Sequence, residues 1–361
     1  MSDRPVQRID RVLRQIVEEF DLDLNGLGIY TEAATGAYLH TPILAAMGGA
    51  RKVHALAADS SFGPKEAVRE QTLAEADRLG VADRLEVALE KTPEDVADCD
   101  VFTNSGSVRP IDREMISWMK PTAVVPLMWE TWEFREADLD LGECRRRGIL
   151  VLGTHESTPP LSMYSYPGHM AMKLVYELGL EGHRTRVLLL GGGNLGQSIH
   201  DHFRRVDVEV GWFSDTHERS GPYDSLHDHF LAEGGAYDVA IVAEHERDVL
   251  LMGDGGLVTF DEIRRVCPLL RIGVISGNLD VAGLKASSLA YCPDEIRPFG
   301  YMSYQPYHLG PRPVLELYAG GLKVGESMAR ARRRGLSVDE AAAWALAHSP
   351  AMDFPDSGRQ A

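Results

Sequence analysis

The chain has 361 residues, enough for two domains of ordinary size, each with its own core. Its composition, 44% hydrophobic and 25% charged, is that of a globular protein. A formal charge of −17 repels phosphate backbones and anionic membrane surfaces, so no nucleic acid and no membrane is expected as a partner; a small-molecule substrate, even an anionic one, is not excluded, since helix termini and single arginines bind one locally.

Four cysteines, Cys99, Cys144, Cys267 and Cys292, form no CxxC pair and read as reduced thiols. The N-terminus MSDRPVQRIDRVLRQ is charged and lacks the apolar stretch of a secretory signal. No apolar run reaches the ~18 residues of a membrane span. A cytoplasmic protein is expected.

Along the chain, short apolar runs alternate with helix-period segments, which argues for parallel α/β sheets. Strands are expected at Leu27 to Tyr30, Val53 to Ala57, Ala123 to Met128 and Gly148 to Gly153, with a strand running into a polar loop over Asp100 to Gly106. Tyr38 to Met47 and DLDLGECRRR have helical character. Pro159 and Pro160 mark a boundary, and Tyr166 to Leu178 reads as a connecting helix. A second strand set follows at Val187 to Leu190, Val208 to Phe213, Val239 to Ala243, Ile272 to Ile275 and Ser288 to Tyr291. The segment PVLELYAGGLKVGESMARARRR is a long helix, and SVDEAAAWALAHS a final one capped by Ser337. The polar tail FPDSGRQA is expected to fray.

The stretch RVLLLGGGNLGQSIHDHF carries the chemistry. Gly191, Gly193 and Gly196 fit G-x-G-x-x-G between a strand and a helix. The first glycine permits the tight turn, the second lets backbone approach a pyrophosphate, and the third lets the helix pack close to the sheet. Amides at the helix start, including those of Asn194 and Leu195, are expected to bind the phosphates. The next strand ends at Asp215, 24 positions beyond Gly191 and near the expected ~20. A carboxylate there suits the ribose hydroxyls of NAD, with NADP disfavoured, although Arg219 and Ser220 keep NADP open. The turn AATGA before Asp59 is explained by helix–sheet packing, and HDHF at His200 to Phe203 is discounted as a metal site.

From Asp100 to Arg330 the chain resembles the D-isomer-specific 2-hydroxyacid dehydrogenases. DVFTNSGSVRPIDREMISWMKPTAVV is similar to the family's strand, substrate loop and helix. ADLDLGECRRRGILVLGTH, YPGHMAMKLV and VLLLGGGNLGQSI are similar to three further family segments. The resemblance implies an α/β fold of two Rossmann-like domains, the cofactor domain inserted in the substrate domain and the active site in the cleft between them. Residues 1–160 and 308–361 would form the substrate domain and 161–307 the NAD-binding domain, in a homodimer. It further implies a substrate loop at Ser105, Gly106 and Ser107, and His308 as general acid, whose ordinary pKa near neutrality suits the role. Glu295 is the candidate partner of that histidine.

The chain departs from the family where an arginine is expected to anchor the substrate. Ser276, Gly277 and Asn278 stand there, in a segment similar to one strand and loop of adenosylhomocysteinase. Ser276 and Asn278 are assigned to the cofactor, and Arg135 and Arg109 are candidates to replace the arginine. Glu133 lies beside Arg135, and His155 is a further substrate-side candidate. Trp129, Trp132, Tyr301, Tyr304 and Tyr307 gather near the divergent loops and suit a larger, flatter substrate. Three activities fit: an NAD-dependent oxidoreductase acting on a carbonyl, hydroxyl, imine or amine carbon; an enzyme with tightly held NAD acting by transient oxidation; and a dinucleotide-responsive binding protein without turnover.

Overall fold

The structure is a computed structural model that describes residues 4–355, with side chains from Arg8; most of the tail FPDSGRQA lies outside the described residues. The chain divides into two compact units, one running to Ser162 and resuming at Pro311, the other spanning Met163–Gly310. His308 therefore falls in the second unit.

The first unit begins with helix α1 (Arg4–Glu19), followed by β1 (Gly28–Glu32), α2 (Thr41–Met47), β2 (Lys52–Leu56), α3 (Lys65–Arg78) and β3 (Leu85–Ala88). It continues with α4 (Pro93–Asp98), β4 (Val101–Phe102), α5 (Arg113–Trp118), β5 (Val124–Pro126), α6 (Leu141–Arg147) and β6 (Leu150–Thr154). The second unit holds α7 (Tyr166–Glu177), β7 (Arg186–Leu190), α8 (Gly193–Arg205), β8 (Glu209–Phe213), α9 (Leu226–Glu233), β9 (Val239–Ala243) and β10 (Leu250–Met252). It ends with α10 (Phe260–Val266), β11 (Arg271–Ser276), β12 (Asn278–Leu279), α11 (Val281–Ala286) and β13 (Tyr291–Cys292). The chain then returns to the first unit as α12 (Pro311–Arg333), α13 (Val338–His348) and β14 (Ala351–Met352).

The first sheet has the order β3-β2-β1-β4-β5-β6-β14, parallel except for antiparallel β14 on β6. Two chain directions leave from its middle, so the switch point lies between β1 and β4, where open α/β sheets take ligands at their strand C-termini. The second sheet, β8-β7-β9-β11-β13, has its switch point between β7 and β9. Its strands read as near-continuous apolar runs because both faces are covered. Leu188 and Leu190 pack on one side with Val242, Val274 and Phe230, and Val187 and Leu189 on the other with Ile241, Ile275 and Phe203.

The alternation of strand and helix emerges as read, with local differences. Of Asp100 to Gly106 only Val101 and Phe102 pair, because the polar residues after them turn away into a single helical turn at Gly106–Val108. Ser288 adopts φ 62°, so the last strand starts only at Tyr291. Edge strand β3 adds to the expected set; its inward residues Leu85 and Val87 alternate with exposed Glu86 and partly buried Ala88. Ser337 caps α13 as expected, in a box with Glu340.

Candidate functional site

The glycine turn lies at the switch point of the second sheet. Gly191 has φ 150°, and a Cβ there would overlap the Ala243 carbonyl oxygen at the end of β9. Gly193 has φ 55°, and a Cβ on Gly196 would overlap the Gly191 carbonyl. The Trp212 indole N–H donates to that carbonyl at 2.7 Å and fixes the turn. In α8 the Gly196 amide bonds the Gly192 carbonyl at 2.8 Å, and the N-cap residue, Gly192, has no side chain to cap the helix. The amides of Gly193, Asn194 and Leu195 lie ahead of that bond, at the positive end of the helix dipole. Asn194 is exposed, whereas the Leu195 side chain is buried in the core, so only its backbone is available to a ligand.

Around the end of β8 four residues form a closed ring. Asp215 accepts from the Tyr223 amide at 2.8 Å, and the Tyr223 hydroxyl donates to Glu244 at 2.5 Å. Glu244, fully buried, accepts from the amides of Glu246 at 2.8 Å and Arg247 at 3.1 Å. The Arg247 guanidinium closes the ring on Asp215 at 3.3 Å. Burial and the Glu244 carboxylate push the Tyr223 hydroxyl far above its ordinary pKa, so it stays a donor. Arg219 and Ser220 are engaged elsewhere: Arg219 with Asp201 at 3.2 Å and over Trp212, Ser220 with the carbonyls of Ser214 and His217. Exposed Glu246 leans its carboxylate against Gly193.

At the end of β11, the Ser276 hydroxyl is buried without a hydrogen-bond partner among the described residues, Gly277 has φ 140°, and the Asn278 amide donates to Asp248 at 2.7 Å. The amides of Ser303 and Tyr304 bond the Ile275 carbonyl, which hangs the turn carrying His308 from this strand end. The imidazole lies between Tyr304 and Tyr307, ring centroids 4.2 and 4.4 Å away. Its Nδ1 is within hydrogen-bond distance of the Gln305 amide at 3.0 Å and the Gln305 carbonyl at 2.9 Å, and Lys173 holds its backbone carbonyl. Nδ1 is thus satisfied locally. Glu295 makes no bond to this ring; its exposed carboxylate sits 3.7 Å from Arg297. Glu177 is the carboxylate of this neighbourhood instead, accepting from the Tyr304 hydroxyl at 2.8 Å and pairing with Lys173 at 3.5 Å.

The first unit gathers polar groups at its own switch point. Glu32, at the end of β1, is buried directly against Gly106, where a Cβ would overlap the carboxylate and the backbone has φ 38°. Burial raises the Glu32 carboxyl to about 7, against the opposing pull of Arg109 and a bond from Ser105. Thr31 and Thr103 share a hydrogen bond at 2.8 Å, as do Thr103 and Ser105; the Tyr318 hydroxyl of α12 also bonds Thr31. Ser107 donates to the Leu56 carbonyl at 2.5 Å and so pins the loop rather than offering its hydroxyl outward. Arg109 pairs with Asp138 at 3.0 Å and lies over Trp129. Exposed Arg135 acts electrostatically on Glu133, which burial raises to about 7. His155 accepts or shares bonds with Ser157, 3.7 Å from Glu130, and neighbouring Glu156 is raised to about 8, first by burial and then by Glu133 and Glu130. Neither Glu32 nor the ring of Tyr223, Glu244 and Arg247 stands out in the sequence.

Two doubly wound α/β units, each with its strand C-termini lined by polar groups, define the class of fold. No protein-family model and no curated protein sequence matches the chain. Among solved structures, it is similar to a dipicolinate synthase subunit from Bacillus halodurans, 12% identical over 82% of this chain and 96% of that one, TM-score 0.53. It is also similar to the dipicolinate synthase of Bacillus subtilis, 11% identical over 86% and 99%, TM-score 0.55. D-isomer-specific 2-hydroxyacid dehydrogenases also align; D-lactate dehydrogenase with NAD+ from Lactobacillus jensenii does so at 10% identity over 86% and 98%, TM-score 0.47. At these identities the likeness is one of fold.

Proposed function

We propose that the chain is an oxidoreductase that binds a nicotinamide dinucleotide in its second unit and acts on a small polar metabolite. The observation that carries this reading is the glycine turn at the β7–β9 switch point. Backbone packs so closely at Gly191 and Gly196 that no Cβ fits, and it leaves uncapped amides at the start of α8. These residues fit a pyrophosphate. The amides of Gly193, Asn194 and Leu195 would hold it, Asp215 would take the adenosine ribose, and Ser276 and Asn278 would face the nicotinamide end. When bound, such a cofactor supplies a two-electron donor or acceptor.

His308 is the group proposed to move the proton. Its Nδ1 is satisfied by its own turn, which would leave Nε2 for a substrate oxygen or nitrogen. In the first unit, the Ser105–Ser107 loop and Arg109 are proposed to receive the substrate's carbonyl or carboxylate. The likeness to dipicolinate synthase makes dipicolinate, a planar dicarboxylate, the first substrate-side probe.

The test is calorimetric titration of NAD into the full chain and into Gly193→Asp, with circular dichroism confirming that the variant folds. Binding by the parent and its loss in a folded variant support the reading. No binding by the parent up to about 1 mM, the upper end of ordinary enzyme affinities, or unchanged binding by Gly193→Asp, overturns it.

A further inference from the structure

We propose that Arg247 sets the choice between NAD and NADP, by neutralising Asp215 and offering its own guanidinium to a 2′-phosphate. This inference rests on the dinucleotide reading of the second unit and goes beyond it. Asp215 alone would place an uncompensated negative charge at the adenosine ribose and repel a 2′-phosphate. In the structure that charge is matched: Arg247 stands 3.3 Å from the carboxylate, with its side chain about half exposed. A guanidinium has five donors in a rigid fork, and one contact to Asp215 leaves most of them for a phosphate.

The position of Arg247 is built rather than accidental. Its backbone amide is held by buried Glu244, and Glu244 is held by the hydroxyl of buried Tyr223. The Tyr223 amide in turn holds Asp215. The loop after β9 is therefore tied to the end of β8 by a chain of bonds whose two inner members exclude water. The residues the sequence offered for a 2′-phosphate, Arg219 and Ser220, are engaged by Asp201 and by backbone carbonyls. Arg247 lies 32 positions beyond Asp215, so only the fold brings the two together.

The site so formed is bifunctional. Asp215 accepts from ribose hydroxyls when the ligand is NAD. With NADP the guanidinium turns from the carboxylate to the phosphate, a charge-assisted and bidentate partner. The free chain is expected to bind both dinucleotides with dissociation constants within about tenfold of each other.

Calorimetry with NAD and NADP on the parent, Arg247→Gln and Asp215→Asn tests this. Arg247→Gln is expected to raise the ratio of the NADP to the NAD dissociation constant at least about tenfold, the worth of one charged hydrogen bond. Asp215→Asn is expected to lower it. A ratio that Arg247→Gln leaves unchanged, or a parent that binds NAD and rejects NADP, overturns the inference while leaving the proposed function standing. A parent that binds neither dinucleotide overturns both.

Discussion

Replacing Glu32 by glutamine should make the first unit progressively more stable than the parent as pH rises. The carboxyl is buried against Gly106, and its folded value of about 7 stands above an ordinary 4.5. A carboxyl raised on folding binds more protons in the native than in the unfolded state, so stability is fully present below about pH 4.5 and is lost as pH rises toward 7. The shift of about 2.5 units, at 1.36 kcal/mol each, amounts to about 3 kcal/mol between pH 4 and pH 8. Glutamine cannot ionise and keeps the shape of the neutral acid, so Glu32→Gln escapes that loss. Glu133 and Glu156, raised for the same reason, contribute equally to parent and variant and cancel in the difference. Urea unfolding followed by tryptophan fluorescence measures it, because Trp118, Trp129, Trp132 and Trp344 lie in the first unit. The stability difference should shift by about 3 kcal/mol toward the variant between pH 4 and pH 8. A difference constant with pH to within about 0.5 kcal/mol would refute the claim that Glu32 is folded as a proton-bearing acid.

Two further outcomes follow from the second unit. Tyr223→Phe deletes the hydroxyl that donates to buried Glu244 and should cost about 2–3 kcal/mol in chemical denaturation, since a hydrogen bond to a charged, buried acceptor is lost; a cost near zero would show that the ring around Asp215 is not held as described. Glu246→Gln removes a carboxylate that leans on Gly193 and should tighten NAD binding about threefold to tenfold, more at low salt than at high; weaker binding by this variant would mean that Glu246 assists the cofactor rather than opposing it.

Much of this architecture is legible in the sequence because it is written in local pattern. Apolar runs of parallel strands, the glycine spacing, and the cap at Ser337 are each set by residues a few positions apart. Asp215 follows from counting onward from Gly191. What escaped depends on contacts through space. Glu244 reads as one more charge in EHERD, yet lies fully buried because β9 carries it into the crevice beside Tyr223. Glu32 follows a strand expected to end at Tyr30; pairing continues to Glu32 itself, which buries the acid instead of leaving it in a loop. Glu295, expected beside His308, faces solvent near Arg297, and the imidazole is positioned by aromatic stacking and its own backbone. Local sequence pattern has no means of showing which groups pack around an imidazole from other parts of the fold.

The most direct measurement is of the backbone itself. Amide chemical shifts of the second-unit residues, followed by NMR as NAD is added to the full chain, report which groups meet the pyrophosphate. The largest changes are expected at Gly193, Asn194 and Leu195, with a further change at Asp215. Saturable binding that leaves those three amides unmoved and shifts resonances elsewhere would contradict the proposed cofactor site.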